Sequence, residues 1–363
     1  MLLSLVLASG CSAGGSPSKS AAAAADGGAP SPAAPYTVAM LDRVHIGSDA
    51  SLPDFQRADA DLPLTGPFAR VTLVVDLESP CFPFAKWVMD PPPPGQSWPA
   101  DCDAFDRNFE MSLVDTAAPA GTPGIELVRA ITPFGGPLHI EQDVTDAFNA
   151  TPATRRFHVA LGAYLDAAGK ISGSKGGWFV SAHLDVTPGA PPSNVLAAIP
   201  LYFGDVIAGQ TIADLPFALP AGTMSTRVEY RVTGHGGAAG SLTYCLGPAD
   251  EFCRRVHHVY VDGTEIGRKV AWRTDCATLC TLADGGPFGQ GPYCAENPCG
   301  AIGSVQASRA NWCPGSVTPP FAWTLGANSA FGAPGPHALR FAIDGIDSGG
   351  VWRASAIVYA YGP

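Results

Sequence analysis

The chain is short of positive charge. It has 21 Lys and Arg against 32 Asp and Glu in 363 residues, a formal net charge of -11 at pH 7 with His neutral. A nucleic-acid partner would need a basic stripe, and its absence excludes that class. No apolar run is long enough to span a bilayer, so the membrane is excluded except through a lipid anchor. The usual metal and nucleophile signatures are missing too. No Cys-x-x-Cys pair occurs, the 8 His are scattered, and no Ser-His-Asp grouping stands out, so neither a metal nor another cofactor is expected. What the chain does have is 42 Gly and 35 Pro, which suits short strands joined by turns and disfavours long helices. At this length it can hold two ordinary domains and a tail.

The tail reads as an export segment. Met1 to Leu7 is almost wholly apolar and runs into Ala8-Ser9-Gly10-Cys11, a small-residue cleavage site with a cysteine after it. This resembles a bacterial lipoprotein signal over residues 1–11, in which Cys11 becomes the lipidated first residue. Residues 12–35 are Ala, Gly, Ser and Pro with few charges and no periodicity. Such a stretch buries too little apolar surface to offset its ordering entropy, and it reads as a disordered tether. The expected location is exported: a cell-surface or periplasmic lipoprotein, or a secreted form.

Strand signals recur about every ten residues in the rest of the chain. Ala69 to Leu77 is a β-rich run, followed by an insertion from Ser79 to Asp101 that contains Pro91-Pro92-Pro93-Pro94 and must be extended. After it, Arg107, Phe109, Met111 and Leu113 alternate with Asp106, Asn108, Glu110 and Ser112, the period of a strand entered through a loop. Glu126 to Ile131, Pro137 to Val144, Arg155 to Leu161 and Trp178 to Val186 read as further strands. A stiff Thr187-Pro-Gly-Ala-Pro-Pro-Ser-Asn194 marks a boundary, and the pattern restarts with Ser225 to Val232 and Val256 to Val261, where Asp262-Gly263 supplies a hairpin turn. The expected fold is all-β: two antiparallel eight-stranded jelly rolls side by side, at 36–188 and 198–363, joined by a linker at 189–197.

Beyond Cys11, nine cysteines remain, and export makes disulfides the default for them. Pairing neighbours across Pro- or Gly-rich loops gives Cys81–Cys102, Cys245–Cys253 and Cys294–Cys313. Cys276, Cys280 and Cys299 stay unassigned, and the odd count leaves one thiol over.

Two clusters open strands in the same way, once per domain: Asp103-Ala-Phe-Asp-Arg107 and Asp250-Glu-Phe-Cys-Arg254. An aspartate beside an arginine stays ionised and oriented, which suits a base or nucleophile at the mouth of a strand. Together with Arg129-Ala-Ile-Thr-Pro-Phe134, Asp143-Val-Thr-Asp146 and Ala310-Asn-Trp-Cys-Pro-Gly315, these clusters fall in an order and spacing that resemble the peptide-N-glycosidase F family from about Val71 onward. The resemblance implies two jelly rolls with a site at their interface. It implies hydrolysis of the amide that joins asparagine to the first N-acetylglucosamine of an N-glycan, leaving aspartate and a 1-amino sugar. Asp106 takes the place of the catalytic aspartate, and Arg107 that of an arginine contacting it and the substrate. Glu251 takes the place of a glutamate acting on the sugar side through a water. Arg309 lines the same cleft, with Phe105, Tyr164, His235 and Trp312 at substrate-binding positions. The Cys81–Cys102 and Cys294–Cys313 pairs also look like family bridges, and Cys253 is half of a third. The chain departs from the family at Gly162, where a glutamate is expected, and it has Phe105, Tyr164, His235 and Phe252 in place of tryptophans. Glu110 and Asp166 are candidates to replace the lost acid.

The implied partners are N-glycosylated proteins or glycopeptides, met by a monomer. Two other functions compete. One is a non-catalytic glycan- or protein-binding lipoprotein on the same scaffold. The other, from fold analogy, is a copper monooxygenase using His257-His258, but neighbouring residues on a strand face opposite ways and would not share one ion.

Overall fold

The computed structural model describes residues 34–363 apart from 53, 120, 151–153, 238–244, 287–290 and 327–328. The signal at 1–11 with Cys11, nearly all of the tether and residues 238–240 of the glycine-rich stretch Gly234 to Gly240 lie outside the described residues. No described helix is long and apolar enough to cross a membrane.

The first half contains β1 (Tyr36–Gly47), β2 (Arg57–Pro63), β3 (Phe68–Glu78), β4 (Asn108–Asp115), β5 (Ile125–Ile131), β6 (Leu138–Asp143), the short helix α1 (Thr145–Ala150), β7 (Thr154–Leu161) and β8 (Gly177–Pro188). The second half contains β9 (Val195–Ile207), β10 (Leu215–Leu219), β11 (Ser225–Gly236), β12 (Arg255–Val261), β13 (Thr264–Ala271), β14 (Leu282–Ala283), β15 (Tyr293–Cys294), α2 (Ile302–Gln306), β16 (Ser316–Val317), β17 (Phe321–Gly326), β18 (Gly335–Ile343) and β19 (Gly350–Tyr361). The sheets of the first sandwich run β1-β8-β3-β6 and β16-β5-β4-β7-β2, and those of the second run β10-β18-β12-β13 and β17-β11-β19-β9. The fold is therefore all-β and antiparallel, two jelly rolls of eight main strands each. The two-residue β16 crosses over from the second half to extend the first sandwich beside β5.

Strand alternation builds both cores. In β3, Val71, Leu73, Val75 and Leu77 are all buried, each worth about 1.5–3 kcal/mol relative to an exposed position. The Asp262-Gly263 hairpin forms as expected, both residues having positive φ (50° and 78°) between β12 and β13, the geometry of a type I′ turn. Elsewhere the alternation does not separate core from solvent. Phe109, Met111 and Leu113 enter the first core, yet Glu110 and Ser112 on the opposite face are buried as well. The second sandwich covers that face.

Among the described residues four disulfides form: Cys81–Cys102, Cys245–Cys253, Cys276–Cys313 and Cys280–Cys294. The expected Cys294–Cys313 pair is corrected. The β14–β15 ladder sets Leu282 opposite Cys294, which brings Cys294 to Cys280. A bridge between Arg273 and Arg309 carries the next turn, with Cys276, to Cys313. Local ladder geometry, and not sequence proximity, chooses these partners. Cys299 keeps its thiol.

Candidate active site

The loop before β4 is held rigid from below. Asp103, 1% exposed, accepts from Arg107 Nε at 2.8 Å and Nη2 at 3.1 Å, and from Phe105 N–H at 3.1 Å. The Ser172 hydroxyl adds a fourth contact at 3.1 Å. The Arg107 backbone is tied to Thr132 in both directions, at 2.8 and 2.9 Å. Asp106, unlike Asp103, makes no salt bridge among the described residues. Arg107 was expected to contact Asp106, but its fork is committed to Asp103. It bears on Asp106 only through its field.

The second loop repeats the device. Asp250, 1% exposed, accepts from Arg255 Nε and Nη2 at 3.1 and 2.5 Å and from the Trp352 indole N–H at 2.6 Å. Glu251, the next residue, is left to face Arg309, whose Nη1 donates to its Oε1 at 3.1 Å. Arg309 is 1% exposed. Its other amino group donates to the Ser304 carbonyl and hydroxyl at 2.7 and 2.8 Å. Its guanidinium lies 4.7 Å from the Phe252 ring centroid and 4.5 Å from that of Trp312. A delocalised cation between two aromatic rings is a charge held in place.

Electrostatics join the two loops. Burial raises the Asp106 pKa, and the positive fields of Arg309 and then Arg107 only partly oppose it. Burial also raises Glu251, with Arg309 opposing and Asp106 adding to the rise. A first-sandwich carboxylate thus repels a second-sandwich carboxylate across a shared buried arginine. Two carboxyls whose pKa values burial raises, next to one fixed cation, are candidates to divide the roles of base and acid.

The other expected residues separate into rim and support. Tyr164 is 71% exposed and lies with its ring centroid 5.2 Å from the Arg107 guanidinium, with Phe105 at 5.6 Å. Both are positioned at the rim. Trp312 is corrected: it is wholly buried, donates its indole N–H to the Gly234 carbonyl at 2.8 Å, and carries Arg309, so no substrate can reach it. His235 stacks on Trp312 with centroids 5.2 Å apart. Burial and the fields of Arg129, Arg309 and Arg353 push it down to about 3, so it is neutral in any working buffer.

Gly162 is open. A Cβ there would lie 3.6 Å from Asn108 Cβ, an ordinary contact. The gap it leaves is part of a cavity of about 340 Å³ shared with Asn108, Glu110 and Arg353. Neither substitute acid is free. Glu110 is gripped by Arg353 at 2.7 and 2.8 Å. Asp166 accepts the backbone N–H groups of Lys170, Ile171 and Ser172. His257 and His258 lie on opposite faces: one is buried and bonded to Tyr230 at 2.9 Å, while the other sits between Glu265 and Asp344.

Residues 203–361 match the family model described as peptide-N-glycosidase F, C terminal. The match covers the second sandwich, which is similar to that family's C-terminal domain. A crystal structure of peptide-N(4)-(N-acetyl-beta-D-glucosaminyl) asparagine amidase is similar over 90% of this chain and 96% of its own, with TM-score 0.66 and 17% identity. A structure of PNGase F, described as a glycosylasparaginase from Flavobacterium meningosepticum, gives 0.65 at 17% identity over the same shares. PNGF-II gives 0.66 at 17% identity over 90% of this chain, which spans 65% of that longer protein. At these identities the likeness establishes the fold. No curated protein sequence matches.

The anchoring roles of Asp103 and Asp250 were not read from the sequence. The signal was present in the repeated acid-x-aromatic clusters: in each one the first acid is buried on an arginine and a later acid is left for chemistry. In the second cluster that arginine is Arg255. Arg254 instead lies 5.2 Å from the Trp272 ring centroid.

Proposed function

We propose that the chain is an amidase that hydrolyses the bond between asparagine and N-acetylglucosamine in N-glycosylated proteins or glycopeptides. The observation that carries this reading is the meeting of Asp106 and Glu251, one from each sandwich, around buried Arg309. Asp106, with its raised pKa, takes a proton from water as that water adds to the side-chain carbonyl carbon, or adds to that carbon itself. Glu251 bears on the sugar side through a water, in reach of the nitrogen that must leave protonated. Breaking the C–N bond gives aspartate in the peptide and a 1-amino sugar. Arg309 supplies fixed positive charge near the developing oxyanion. The protein acts as a monomer without a cofactor. It is exported, in keeping with its disulfides, and is held to the membrane through a lipid on Cys11.

A binding module on the same scaffold is the second reading, and the observation favouring it is Gly162. Incubation with a defined N-glycopeptide followed by mass spectrometry separates the two. The amidase reading requires glycan release with aspartate at the former asparagine, lost in Asp106→Asn. Gly162→Glu is a further arm: a Cβ there meets only ordinary contacts, and higher turnover would show that the missing carboxylate limits the rate. If neither the wild type nor Gly162→Glu releases glycan while binding survives Asp106→Asn, the binding module stands in its place.

A further inference from the structure

The unpaired Cys299 does not lie apart from the other sulfurs. Its Sγ and those of Cys81 and Cys102 are all within 4.8 Å of one another. The segment carrying it belongs to the second half of the chain but docks on the turn after β5. The Cys299 N–H donates to the Phe134 carbonyl at 3.0 Å, and Asn297 Oδ1 accepts the Phe134 N–H at 3.0 Å. Gly135, at φ +65°, permits the approach. A Cβ there would come 2.5 Å from Cys299 Sγ and 3.1 Å from Cys81 Cβ. Cys81 and Cys102 are wholly buried, and Cys299 is half-buried. A thiol from one sandwich and a disulfide from the other therefore share a single pocket, at the root of the loop that holds Asp103 and Asp106.

We propose that this three-sulfur cluster is an internal thiol–disulfide exchange site, through which the Cys81–Cys102 bridge passes to Cys299 and becomes a bond between the two sandwiches. The step balances within the protein. The Cys299 thiolate attacks Sγ of Cys102, a new Sγ–Sγ bond forms as the Cys81–Cys102 bond breaks, and Cys81 leaves as a thiolate that takes up the proton Cys299 released. Attack on Cys81 is the mirror case and frees Cys102. No external oxidant or reductant is consumed, and the number of disulfides is unchanged. After attack on Cys102, the Asp106 loop is tied covalently to the half that carries Glu251 and Arg309, and the proline-rich insertion between residues 81 and 102 is released at its front end.

The same packing keeps the exchange rare at neutral pH. Burial, with the nearby Asp103 carboxylate adding to it, pushes the Cys299 thiol up to about 12. Asp103 is in turn held by Arg107. The attacking species is the thiolate, so the rate rises about tenfold per pH unit below that value.

The test uses the full chain, held folded at neutral pH and two units higher. It is quenched with acid, labelled at its thiols, digested without reduction and mapped by mass spectrometry, with Cys11 read separately. A peptide joining Cys299 to Cys102 or Cys81 is expected, with the displaced cysteine labelled. It should accumulate about 100-fold faster at the higher pH and be absent in Cys299→Ser. Cys81→Ser provides a second measurement, in which Cys102 and Cys299 should join once oxidised glutathione is supplied as the two-electron oxidant. The proposal is overturned if Cys299 alone is labelled at both pH values with Cys81–Cys102 intact. It is also overturned if exchange spreads to Cys276–Cys313 and Cys280–Cys294, which reports unfolding. Should Cys81→Ser not fold, the wild-type pH series decides alone.

Discussion

Asp106 sits where burial works against its charge, and the two arginines that favour the charged form do not fully compensate. A carboxyl whose folded pKa is raised makes the folded state less stable once it ionises. Below the ordinary carboxylate range, near 4, folded and unfolded chains both hold the proton and no cost arises. Above the folded value the cost is present in full. Asp106→Asn is therefore expected to lose glycan release and yet melt at a higher temperature than wild type at pH 7, with the two melting curves converging as pH falls through the carboxylate range. Thermal denaturation across pH checks this. A variant less stable by the same margin at every pH would mean that Asp106 holds the loop together and is not an uncompensated charge.

At the scale of elements, the decisive feature is the face of β4 and β5 that is turned to the second sandwich. A register shift between Met111 and Ser112 leaves β5 one residue longer than its partner there. Such a bulge lets Glu126 and Arg129, three apart, share one face. Arg129 donates to Glu126 at 2.8 and 3.0 Å, and to the Arg353 carbonyl at 2.5 Å. Arg231 donates to the Glu126 carbonyl at 3.0 Å, and the Ser355 hydroxyl donates to the Glu126 carboxylate. Removing one partner from such a network strands buried charge. Glu126→Ala is expected to cost about 3–5 kcal/mol in denaturant unfolding. Arg156→Ala, which breaks an exposed pair with Asp61 across β2 and β7, is expected to leave stability essentially unchanged. Similar losses in both variants would contradict the burial argument.

For the molecule as a whole, the two sandwiches are not independent. Ile357 and Tyr359 of β19 pack into the core of the first sandwich, and β16 joins its sheet. The described residues from 34 onward form one compact unit. With the site assembled from both halves, separation would remove Glu251 and Arg309 from Asp106. Calorimetry is accordingly expected to show one cooperative transition with matching calorimetric and van't Hoff enthalpies. Two resolved transitions would mean that each jelly roll folds alone.

The local pattern of the sequence determined the strands and turns. Period-two alternation marked β4, β7 and β8, a β-rich run marked β3, Asp262-Gly263 marked its hairpin, and the acid, aromatic and arginine clusters marked the loops that carry Asp106 and Glu251. These features depend on residues a few positions apart, so a linear reading reaches them. Only the tertiary structure decided what depends on long-range packing. It turned the polar face of β4 into an interface and gave Arg107 to Asp103 instead of Asp106. It buried Trp312 as the support of Arg309, and it exchanged the partners of Cys294 and Cys313 by way of a two-residue ladder. Each outcome turns on which of several chemically similar partners lies within about 3–5 Å once the chain is packed, and neither composition nor spacing encodes that choice.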